Sequence, residues 1–205
     1  MPYCIKAGYR HNGSPQYFID DTGEIVWQPD VYPFAQQIAL DRDIRGIVDI
    51  GCGRAGKLAA LQAQRPDWRY VGIDYGANIE WCRERYGWGE WLEEDFDRPH
   101  AIDAEDAVIV CADVIEHLRE PEHLLAAIHE SGCVAAVLST PERERAYCGD
   151  HDGPPTNPCH VREWTLEEFG KFLRSSGFEV EHLGVTRSND VGGGDKTTLA
   201  RVRPR

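Results

Sequence analysis

The chain has 205 residues and a formal net charge of −13 at neutral pH. Its length suffices for one well-buried domain and is short for two. Hydrophobic residues make up 41% and charged residues 28%, as in ordinary globular proteins. A field of this sign repels duplex or long nucleic acid unless basic residues are segregated. No run of Lys or Arg provides such a patch, so nucleic acid is not the expected partner.

The sequence predicts neither a membrane segment nor a secretory leader. The longest apolar stretches, residues 108–111 and 134–138, are far too short to span a bilayer. Residues 1–10 lack the apolar core of a signal peptide. The seven cysteines are an odd number without a C-x-x-C pair, which argues against a disulfide framework. We therefore expect a cytoplasmic protein with no membrane insertion.

Residues 1–29 are rich in Gly, Pro and aromatic residues, and they predict a short appendage rather than a domain. Residues 17–19 and 25–27 are apolar and flank the run Asp20-Asp21-Thr22-Gly23. Two short apolar runs around a turn-forming segment are typical of a β-hairpin. Such an appendage is expected either to cover a pocket as a lid or to mediate dimerisation.

From residue 30 to residue 205 the pattern predicts a single domain of alternating strands and helices. Strands are expected at residues 46–50, 69–73, 90–94, 107–111, 134–138, 178–185 and 197–202, and helices at 30–42, 55–64, 78–86, 121–130 and 165–176. The last helix begins with the capping box Thr165-x-x-Glu168. This alternation predicts a doubly wound α/β fold with a mostly parallel sheet covered by helices on both faces.

A glycine-rich turn follows the first predicted strand, in Val48-Asp49-Ile50-Gly51-Cys52-Gly53-Arg54-Ala55-Gly56. Glycines let the backbone turn tightly and let a ligand approach it closely. Gly51, Gly53 and Gly56 also fit G-x-G-x-x-G, so the dinucleotide site of an NAD-dependent oxidoreductase is an alternative. The acid Asp49 favours a cationic amino-acid and sulfonium group over a pyrophosphate, which its charge would repel.

Two further acids follow the next two predicted strands. Val71-Gly72-Ile73-Asp74 ends on a carboxylate that suits both ribose hydroxyls, a feature that NAD sites share. Glu94-Asp95-Phe96 follows the third strand, where an acid accepts a hydrogen bond from an adenine amino group. The second of these acids shifts the balance from NAD toward a different adenosine-containing cofactor.

Asp49-Ile50-Gly51-Cys52-Gly53, Gly72-Ile73-Asp74 and Glu94-Asp95-Phe96 resemble the successive cofactor motifs of class I S-adenosylmethionine-dependent methyltransferases. The resemblance covers residues 46–140 and implies a Rossmann-like, seven-stranded sheet whose last strand is antiparallel. It implies that Asp74 binds the ribose of S-adenosylmethionine and that Asp95 binds the adenine amino group. The other expected cofactor contacts are Asp49, Gly51, Cys52, Gly53, Tyr75, Phe96 and Ala112. A non-catalytic cofactor-binding protein is the alternative from another class, and the three intact acids argue against it.

The fourth predicted strand runs into Asp113-Val114-Ile115-Glu116-His117. Substrates of open α/β sheets bind beyond the carboxyl ends of the strands, which places this segment at the expected substrate site. If residues 113–117 form a helical turn, Asp113, Glu116 and His117 share one face. Two carboxylates and an imidazole suit Mg²⁺, Mn²⁺, Fe²⁺ or Zn²⁺. In the metal-free alternative, the histidine is a general base or simply a packed residue.

A second segment, Cys159-His160-Val161-Arg162-Glu163-Trp164-Thr165, lies in the loop after the fifth strand. Together with the preceding motif it resembles the metal-dependent RNA 3′-terminal 2′-O-methyltransferases that act on small silencing RNAs. That resemblance implies that Asp113, Glu116, His117 and His160 hold a divalent metal, with Asp113, His117 and His160 at the reacting centre. Asp113 departs from that family, which has Glu at this position.

The loop over residues 150–158 is long and stiffened by proline, and loops of this length inside a compact domain are usually functional. With residues 160–164 it resembles bacterial methyltransferases associated with surface-polysaccharide and sugar biosynthesis. Arg162 and Trp164 are then sugar contacts, or alternatively a surface residue and a core residue. The favoured interpretation is O-methylation of a vicinal diol on a small-molecule sugar or a glycan. An RNA 3′-terminal ribose and a catechol-like or quinone-precursor diol are the alternative acceptors.

Overall fold

The computed structural model describes residues 2–16 and 25–205. Seven strands form one sheet: β1 (Gly46–Ile50), β2 (Arg69–Asp74), β3 (Glu90–Glu93), β4 (Val108–Ala112), β5 (Ala135–Pro141), β6 (Phe178–Arg187) and β7 (Asp195–Pro204). The α-helices are α1 (Val31–Asp41), α2 (Gly56–Gln64), α3 (Ala77–Arg85), α4 (Pro121–Glu130), α5 (Arg143–Ala146) and α6 (Leu166–Ser175). Short 3-10 turns cover Pro2–Cys4 and Ile115–His117. In the described part of the chain, none of the helices has the length and apolar character needed to cross a membrane.

The strand order is β3-β2-β1-β4-β5-β7-β6. Strands β1 to β5 pair in parallel, and β7 runs antiparallel to both of its neighbours. The predicted doubly wound sheet with an antiparallel last strand is confirmed. The chain order reverses between β1 and β4, and in open α/β sheets this reversal opens a crevice at the carboxyl ends of the strands.

Helices cover both faces of the sheet because successive side chains of a buried strand point to opposite sides. Helices α1, α2 and α3 pack on one face, through buried residues that include Ala35, Ile38, Leu58, Leu61 and Ile79. Helices α4 and α6 pack on the other face, through Leu124, Leu125, Ile128, Phe169, Phe172 and Leu173. The central strand β4 is buried from Val108 to Cys111, as its apolar run predicted.

The predicted capping box of the last helix is present. The Thr165 side chain accepts from the Glu168 backbone N–H at 3.2 Å, and the Glu168 carboxylate accepts from the Thr165 N–H at 3.0 Å. These two bonds satisfy N–H groups that have no partner within the helix. Helix α6 therefore begins directly after the loop that carries His160.

Residues 2–16 lie along the segment 150–164. The backbone N–H groups of Arg10, Asn12 and Gln16 donate to the carbonyls of Asp152, Val161 and Pro158 at 2.7–2.8 Å. Residues 17–24, which contain most of the predicted hairpin, lie outside the described residues. Trp27 forms a single antiparallel bridge with Asn189 in the β6–β7 connection. The separate unit predicted over residues 1–29 stays a prediction.

Tyr9 ties this N-terminal segment to the loop beneath it. Its ring is 8% exposed, and its hydroxyl accepts a hydrogen bond from the Glu163 backbone N–H at 3.0 Å. The Arg143 guanidinium lies over the Tyr9 ring, 4.9 Å from the centroid. Burial raises the pKa of Tyr9 to about 12, so the hydroxyl stays neutral. The segment is therefore part of the domain's packing.

Replacing Tyr9 by Phe is expected to leave the buried Glu163 N–H without an acceptor. Such a loss destabilises a folded domain by about 1–3 kcal/mol, which urea unfolding would measure. Tyr86→Phe is the matched control, because no hydrogen bond is seen for its hydroxyl among the described residues. That control is expected to stay within about 0.5 kcal/mol of the parent protein. Equal losses in both variants would contradict the proposed anchoring role of Tyr9.

Candidate active site

The glycine-rich turn after β1 lies at the crevice where the strand order reverses. Gly51 and Gly53 have φ of +71° and +55°, in the left-handed region that glycine adopts readily. A Cβ on Gly51 would lie 2.2 Å from Val114 Cγ2, so this position also needs a residue without a side chain. The backbone N–H groups of Gly51 and Cys52 donate to the Ile73 carbonyl at 2.8 and 3.2 Å. These bonds hold the turn against the end of β2.

Asp74 ends β2 beside this turn. Its Oδ2 accepts from the Gly53 N–H at 2.7 Å, and its Oδ1 accepts from the Tyr75 N–H at 2.6 Å. The carboxylate is half-buried, and the Tyr75 side chain that follows is 51% exposed. Asp74 therefore lies where a ligand bound over the glycine turn meets the end of β2, and its contact with a ribose stays a prediction.

Asp95 and Phe96 follow β3 on the next turn along the same edge. Asp95 is exposed; its Oδ1 accepts from the Asp97 N–H at 3.1 Å, and its Oδ2 pairs with Arg98 at 3.1 Å. Phe96 is 7% exposed and packs into the core. Asp95, the residue predicted to bind the adenine amino group, thus lies at the carboxyl edge of the sheet. Its carboxylate is held by hydrogen bonds within its own turn.

Asp49 lies below the glycine turn and is fully buried. The Tyr32 hydroxyl is 3.0 Å from Asp49 Oδ1 and 2.9 Å from its Oδ2, so it donates to this carboxylate. Burial raises the pKa of Asp49 to about 7, although the Tyr32 bond and the charge of Lys57 act in the opposite direction. The structure therefore places no atom of this residue at the surface of the crevice, where the sequence predicted contact with a cationic group.

The segment after β4 differs from its predicted geometry. Its helical turn covers only Ile115–His117, and Asp113 has φ of +53°, so this residue is not helical. The Asp113 N–H donates to the Ser139 carbonyl at 3.1 Å, extending beyond Ala112 the pairing of β4 with β5. The prediction that Asp113 shares a helical face with Glu116 and His117 is therefore wrong.

Three of the four predicted metal-binding residues do come together. Candidate ligand atoms of Glu116, His117 and His160 lie within 4.8 Å of one another. Glu116 is fully buried, and its Oε2 accepts from the Thr140 hydroxyl at 3.1 Å. Its Oε1 has no hydrogen-bond partner among the described residues and lies 4.0 Å from His160 Nε2. Asp113 is outside this cluster. Its two carboxylate oxygens accept instead from the Ser139 hydroxyl and from the Gln28 side-chain amide.

The hydrogen bonds of His160 define its tautomer. Asn157 Oδ1 accepts from the Cys159 N–H at 2.9 Å. This bond directs Asn157 Nδ2, the side-chain amide nitrogen, toward His160 Nε2 at 2.9 Å. His160 Nε2 therefore accepts, and Nδ1 carries the proton that it donates to Glu163 Oε1 at 2.6 Å. A carboxylate behind the imidazole fixes the ring and makes the opposite nitrogen more basic.

Burial disfavours the charged forms of Glu116 and His117. It raises the pKa of Glu116 well above its usual range, and the nearby charge of Asp113 raises it further. Burial also lowers the pKa of His117 to about 4, with a further contribution from His160. The Nδ1 of His117 lies 3.0 Å from the Cys159 carbonyl. A bound cation would supply the positive charge that favours the ionised carboxylate of Glu116.

The loop that carries His160 is attached directly to the segment after β4. The Val161 N–H donates to the Glu116 carbonyl at 2.8 Å, and the Arg162 guanidinium donates to the carbonyls of Leu118 and Arg119 at 2.7 and 2.8 Å. Trp164 is fully buried. Burial favours the interpretation of Trp164 as a core residue, whereas Arg162 is 3% exposed, so its alternative interpretation as a surface residue is wrong.

Several residues of the site were not singled out by the sequence. Lys57 in the first turn of α2 donates to Gln28 Oε1 at 2.9 Å, and Gln28 Nε2 donates to Asp113 Oδ2 at 2.5 Å. Glu163 and Asn157 orient His160. The spacing His160-x-x-Glu163 was an available signal for one of them, but no local pattern connects Gln28 with residues 57 and 113.

Comparisons with known proteins agree with this geometry. A family profile described as "Methyltransferase domain" matches residues 31–183, so the chain belongs to this methyltransferase family. No curated protein matches the sequence significantly. The fold, the sheet order and the family together identify a class I S-adenosylmethionine-dependent methyltransferase.

Solved structures share the fold at low sequence identity. A putative methyltransferase from Bacillus halodurans is 13% identical, with a TM-score of 0.62, covering 86% of this chain and 100% of that one. The methyltransferase domain of a bacterial Hen1 protein is 18% identical, with a TM-score of 0.63, covering 84% and 96%. The O-methyltransferase NcsB1 from neocarzinostatin biosynthesis is 15% identical, with a TM-score of 0.61, covering 80% and 50%.

Asp74→Ala is expected to weaken S-adenosylmethionine binding by more than about 100-fold, because it removes both the predicted ribose acceptor and the carboxylate that holds the Gly53 N–H of the glycine turn. Asp95→Ala is expected to weaken it by less than about tenfold, because Asp95 is exposed and a hydrogen bond formed in water contributes less to binding. Isothermal titration calorimetry would measure both. Unchanged micromolar binding in the Asp74 variant would exclude the ribose assignment.

The raised pKa of Asp49 predicts a stability profile with a definite sign. The pKa is about 7 in the folded state and about 3.9 in an unfolded chain. Folding therefore favours the protonated acid, and the free energy of unfolding should fall as the pH rises from about 4 to about 7. Asp49→Asn cannot ionise and is expected to be more stable than the parent protein by about 1–4 kcal/mol at pH 8, since one pKa unit corresponds to about 1.4 kcal/mol.

Urea unfolding at a series of pH values would measure this difference. Asp30→Asn is the control of opposite sign, because Arg187 lowers the pKa of Asp30 to about 2 and the charged form is the one that folding favours. That variant should lose stability at neutral pH. Identical profiles for Asp49→Asn and the parent protein between pH 4 and 8 would refute the buried, ionisable role of Asp49.

Proposed function

We propose that this enzyme methylates one hydroxyl of a vicinal diol, on a sugar or a glycan, with assistance from a divalent metal held by Glu116, His117 and His160. The observation that carries the proposal is the cluster that buried Glu116 and His160 form with half-buried His117 at the substrate edge of the sheet. S-adenosylmethionine supplies an electrophilic methyl group on its sulfonium when it is bound. A sugar hydroxyl is a weak nucleophile at neutral pH, so the remaining requirement is to activate and orient it.

The residues of the cluster fit a divalent cation in their chemistry. One carboxylate and two imidazoles are a donor set that suits Mn²⁺, Fe²⁺ or Zn²⁺, and with further oxygen ligands also Mg²⁺. Among the described residues, Glu116 Oε1 is a buried acceptor without a hydrogen-bond partner, which is an arrangement that a cation satisfies. Tetrahedral ligands at about 2.1 Å from an ion are about 3.4 Å apart, so ligand atoms up to 4.8 Å apart would have to approach by about 1.4 Å.

A cation at this position would supply Lewis acidity that lowers the pKa of a bound hydroxyl. The residues of this chain supply the rest. The bond from His160 Nδ1 to Glu163 keeps Nε2 unprotonated, and this nitrogen lies 4.0 Å from Glu116 Oε1. A cation bound to Nε2 would take the place of the Asn157 amide N–H. Hydrogen bonds from Ser139 and Gln28 hold Asp113 away from the cluster. Of the four metal ligands first predicted, Glu116, His117 and His160 therefore remain. The position of Asp113 agrees with its departure from the Glu of the RNA-modifying enzymes.

In the metal-free form of the same proposal, the hydroxyl takes the place of the Asn157 amide at His160 Nε2, this nitrogen accepts the hydroxyl proton, and Glu163 stabilises the resulting imidazolium. Burial lowers the pKa of His117 to about 4, so this second histidine is a weak base. Both forms use the same hydrogen bonds around His160, and sensitivity to chelators separates them.

The acceptor class rests on charge and on the loop sequence. A net charge of −13 disfavours a polyanion and suits a neutral sugar or glycan. An RNA 3′-terminal ribose is the second candidate acceptor, favoured by the structural likeness to the methyltransferase domain of a bacterial Hen1 protein. A single terminal nucleotide presents the same diol chemistry and needs little basic surface.

Glu116→Gln and His160→Ala are expected to retain S-adenosylmethionine binding and to lose metal-stimulated turnover, with kcat reduced by about 100-fold or more. Each removes one ligand atom without touching the glycine turn. His182→Ala, an exposed histidine on β6, is the matched control and should keep full activity. A His160 variant that remained fully active after chelation would contradict both the metal and the general-base roles of this residue.

Methyl transfer from labelled cofactor to nucleotide sugars, oligosaccharides, RNA ends and catechols tests the acceptor. Transfer to a sugar that is lost with EDTA and regained with Mg²⁺ or Mn²⁺ is the expected result. Transfer only to RNA ends would replace the sugar by the second candidate. Transfer to a sugar that ignores EDTA would leave the acceptor class intact and move activation of the hydroxyl to His160.

A further inference from the structure

We propose that Lys57 and Asp113 form the subsite for the zwitterionic amino-acid end of S-adenosylmethionine, and that the carboxamide of Gln28 occupies this subsite in the ligand-free enzyme. The proposal concerns cofactor recognition. It depends on neither the metal nor the acceptor.

The contacts of Gln28 define what the subsite recognises. The Lys57 ammonium donates to Gln28 Oε1 at 2.9 Å, and Gln28 Nε2 donates to Asp113 Oδ2 at 2.5 Å. Gln28 is 7% exposed, so its carboxamide is enclosed between a cation and an anion. A ligand that replaces it must present an acceptor to Lys57 and a donor to Asp113. The carboxylate and ammonium of an α-amino acid present these two groups, and both bonds would then be charge-assisted at each end.

The position of the pair in the fold agrees with this assignment. Lys57 lies in the first turn of α2 after the glycine turn of β1, and Asp113 follows β4, the strand beside β1. Asp74 follows β2, on the other side of β1. A cofactor with its ribose at Asp74 that crosses the glycine turn therefore extends toward Lys57 and Asp113. This is the crevice where the chain order reverses.

Asp113 is held in an orientation that its backbone would not adopt freely. Its φ of +53° lies in the left-handed region, which is uncommon for residues other than glycine. The Ser139 hydroxyl donates to Asp113 Oδ1 at 2.6 Å, which leaves Oδ2 to face Gln28. A carboxylate fixed in this way is prepared to receive a donor from the crevice.

Asp49, the neighbouring acid, does not compete with Asp113 for the ammonium group of the cofactor. Asp49 is fully buried, and the Tyr32 hydroxyl donates to its carboxylate. The Lys57 ammonium lies 5.0 Å from the centroid of the Tyr32 ring, above this buried acid. The polar groups that Gln28 reaches at this end of the crevice are therefore Lys57 and Asp113.

Calorimetry on the full chain with three ligands separates the parts of the cofactor. Decarboxylated S-adenosylmethionine lacks the carboxylate and keeps the ammonium and the sulfonium, whereas 5′-methylthioadenosine lacks the whole amino-acid end. Lys57→Met is expected to weaken S-adenosylmethionine binding by about 10- to 100-fold, since it removes one charge-assisted bond. Binding of the decarboxylated cofactor and of 5′-methylthioadenosine should change by less than about twofold, and Lys57→Arg should restore most of the loss.

Asp113→Asn is expected to weaken binding of both ligands that carry the ammonium and to spare 5′-methylthioadenosine. Gln28→Ala removes the internal occupant, so it should tighten S-adenosylmethionine binding several-fold relative to 5′-methylthioadenosine. An unchanged ratio of affinities for the intact and decarboxylated cofactor in Lys57→Met would overturn the assignment. Equal loss of all three ligands in that variant would also overturn it, because Lys57 would then support the fold of the turn.

Discussion

The substrate edge of this enzyme depends on one attachment: the loop before α6 is hydrogen-bonded to the segment after β4. The Glu116 carbonyl accepts from the Val161 N–H, and the Arg162 guanidinium donates to the carbonyls of Leu118 and Arg119. These bonds bring His160 to Glu116 and His117 across more than 40 residues of chain. Arg162 serves here as a buried donor that satisfies carbonyls which neither helix nor strand has paired.

A second set of buried ionic groups holds that loop from its other side. Arg143 is 1% exposed; it donates to the Glu163 carbonyl and pairs with the Glu168 carboxylate at 2.8 Å. Glu168 also caps α6, and the N-terminal residues 2–16 cover the same loop through Tyr9. Because each of these polar groups has lost water on folding, removing one partner leaves another unsatisfied. Such mutual dependence holds the His160–Glu163 pair in one arrangement.

The two halves of the crevice are built differently. On the cofactor side, backbone geometry dominates: glycines with positive φ, carbonyls at strand ends, and one acid on β2. On the substrate side, side chains dominate, and burial disfavours the charged forms of Glu116 and His117. Backbone recognition suits a cofactor of fixed shape, whereas buried titratable groups suit the activation of a hydroxyl, where proton affinity must be tuned. Asp113 lies between the cofactor side and the substrate side. Its backbone N–H continues the pairing of β4 with β5, and its side chain faces Gln28.

The sequence by itself determined the order and type of the seven strands and of five of the six α-helices in the described residues, the antiparallel last strand through the family resemblance, and the glycine turn with Asp74 beside it. The short helix α5 was not predicted. The predicted features depend on local periodicity and on glycine and capping signals, which act over a few residues. It also determined Glu116, His117 and His160 as candidates, because a strand end and a following loop must reach the same edge of a parallel sheet.

Only the tertiary structure decided the positions of Asp113 and Asp49. The helical turn predicted over residues 113–117 begins only at Ile115. Pairing with β5 continues to Asp113, so the turn starts two residues later than predicted. Burial beneath Tyr32 removed Asp49 from the crevice surface. Gln28 is hydrogen-bonded to Lys57 and to Asp113, which lie 29 and 85 positions further along the chain. Contacts of that range follow from how the whole chain packs, and no local pattern encodes them.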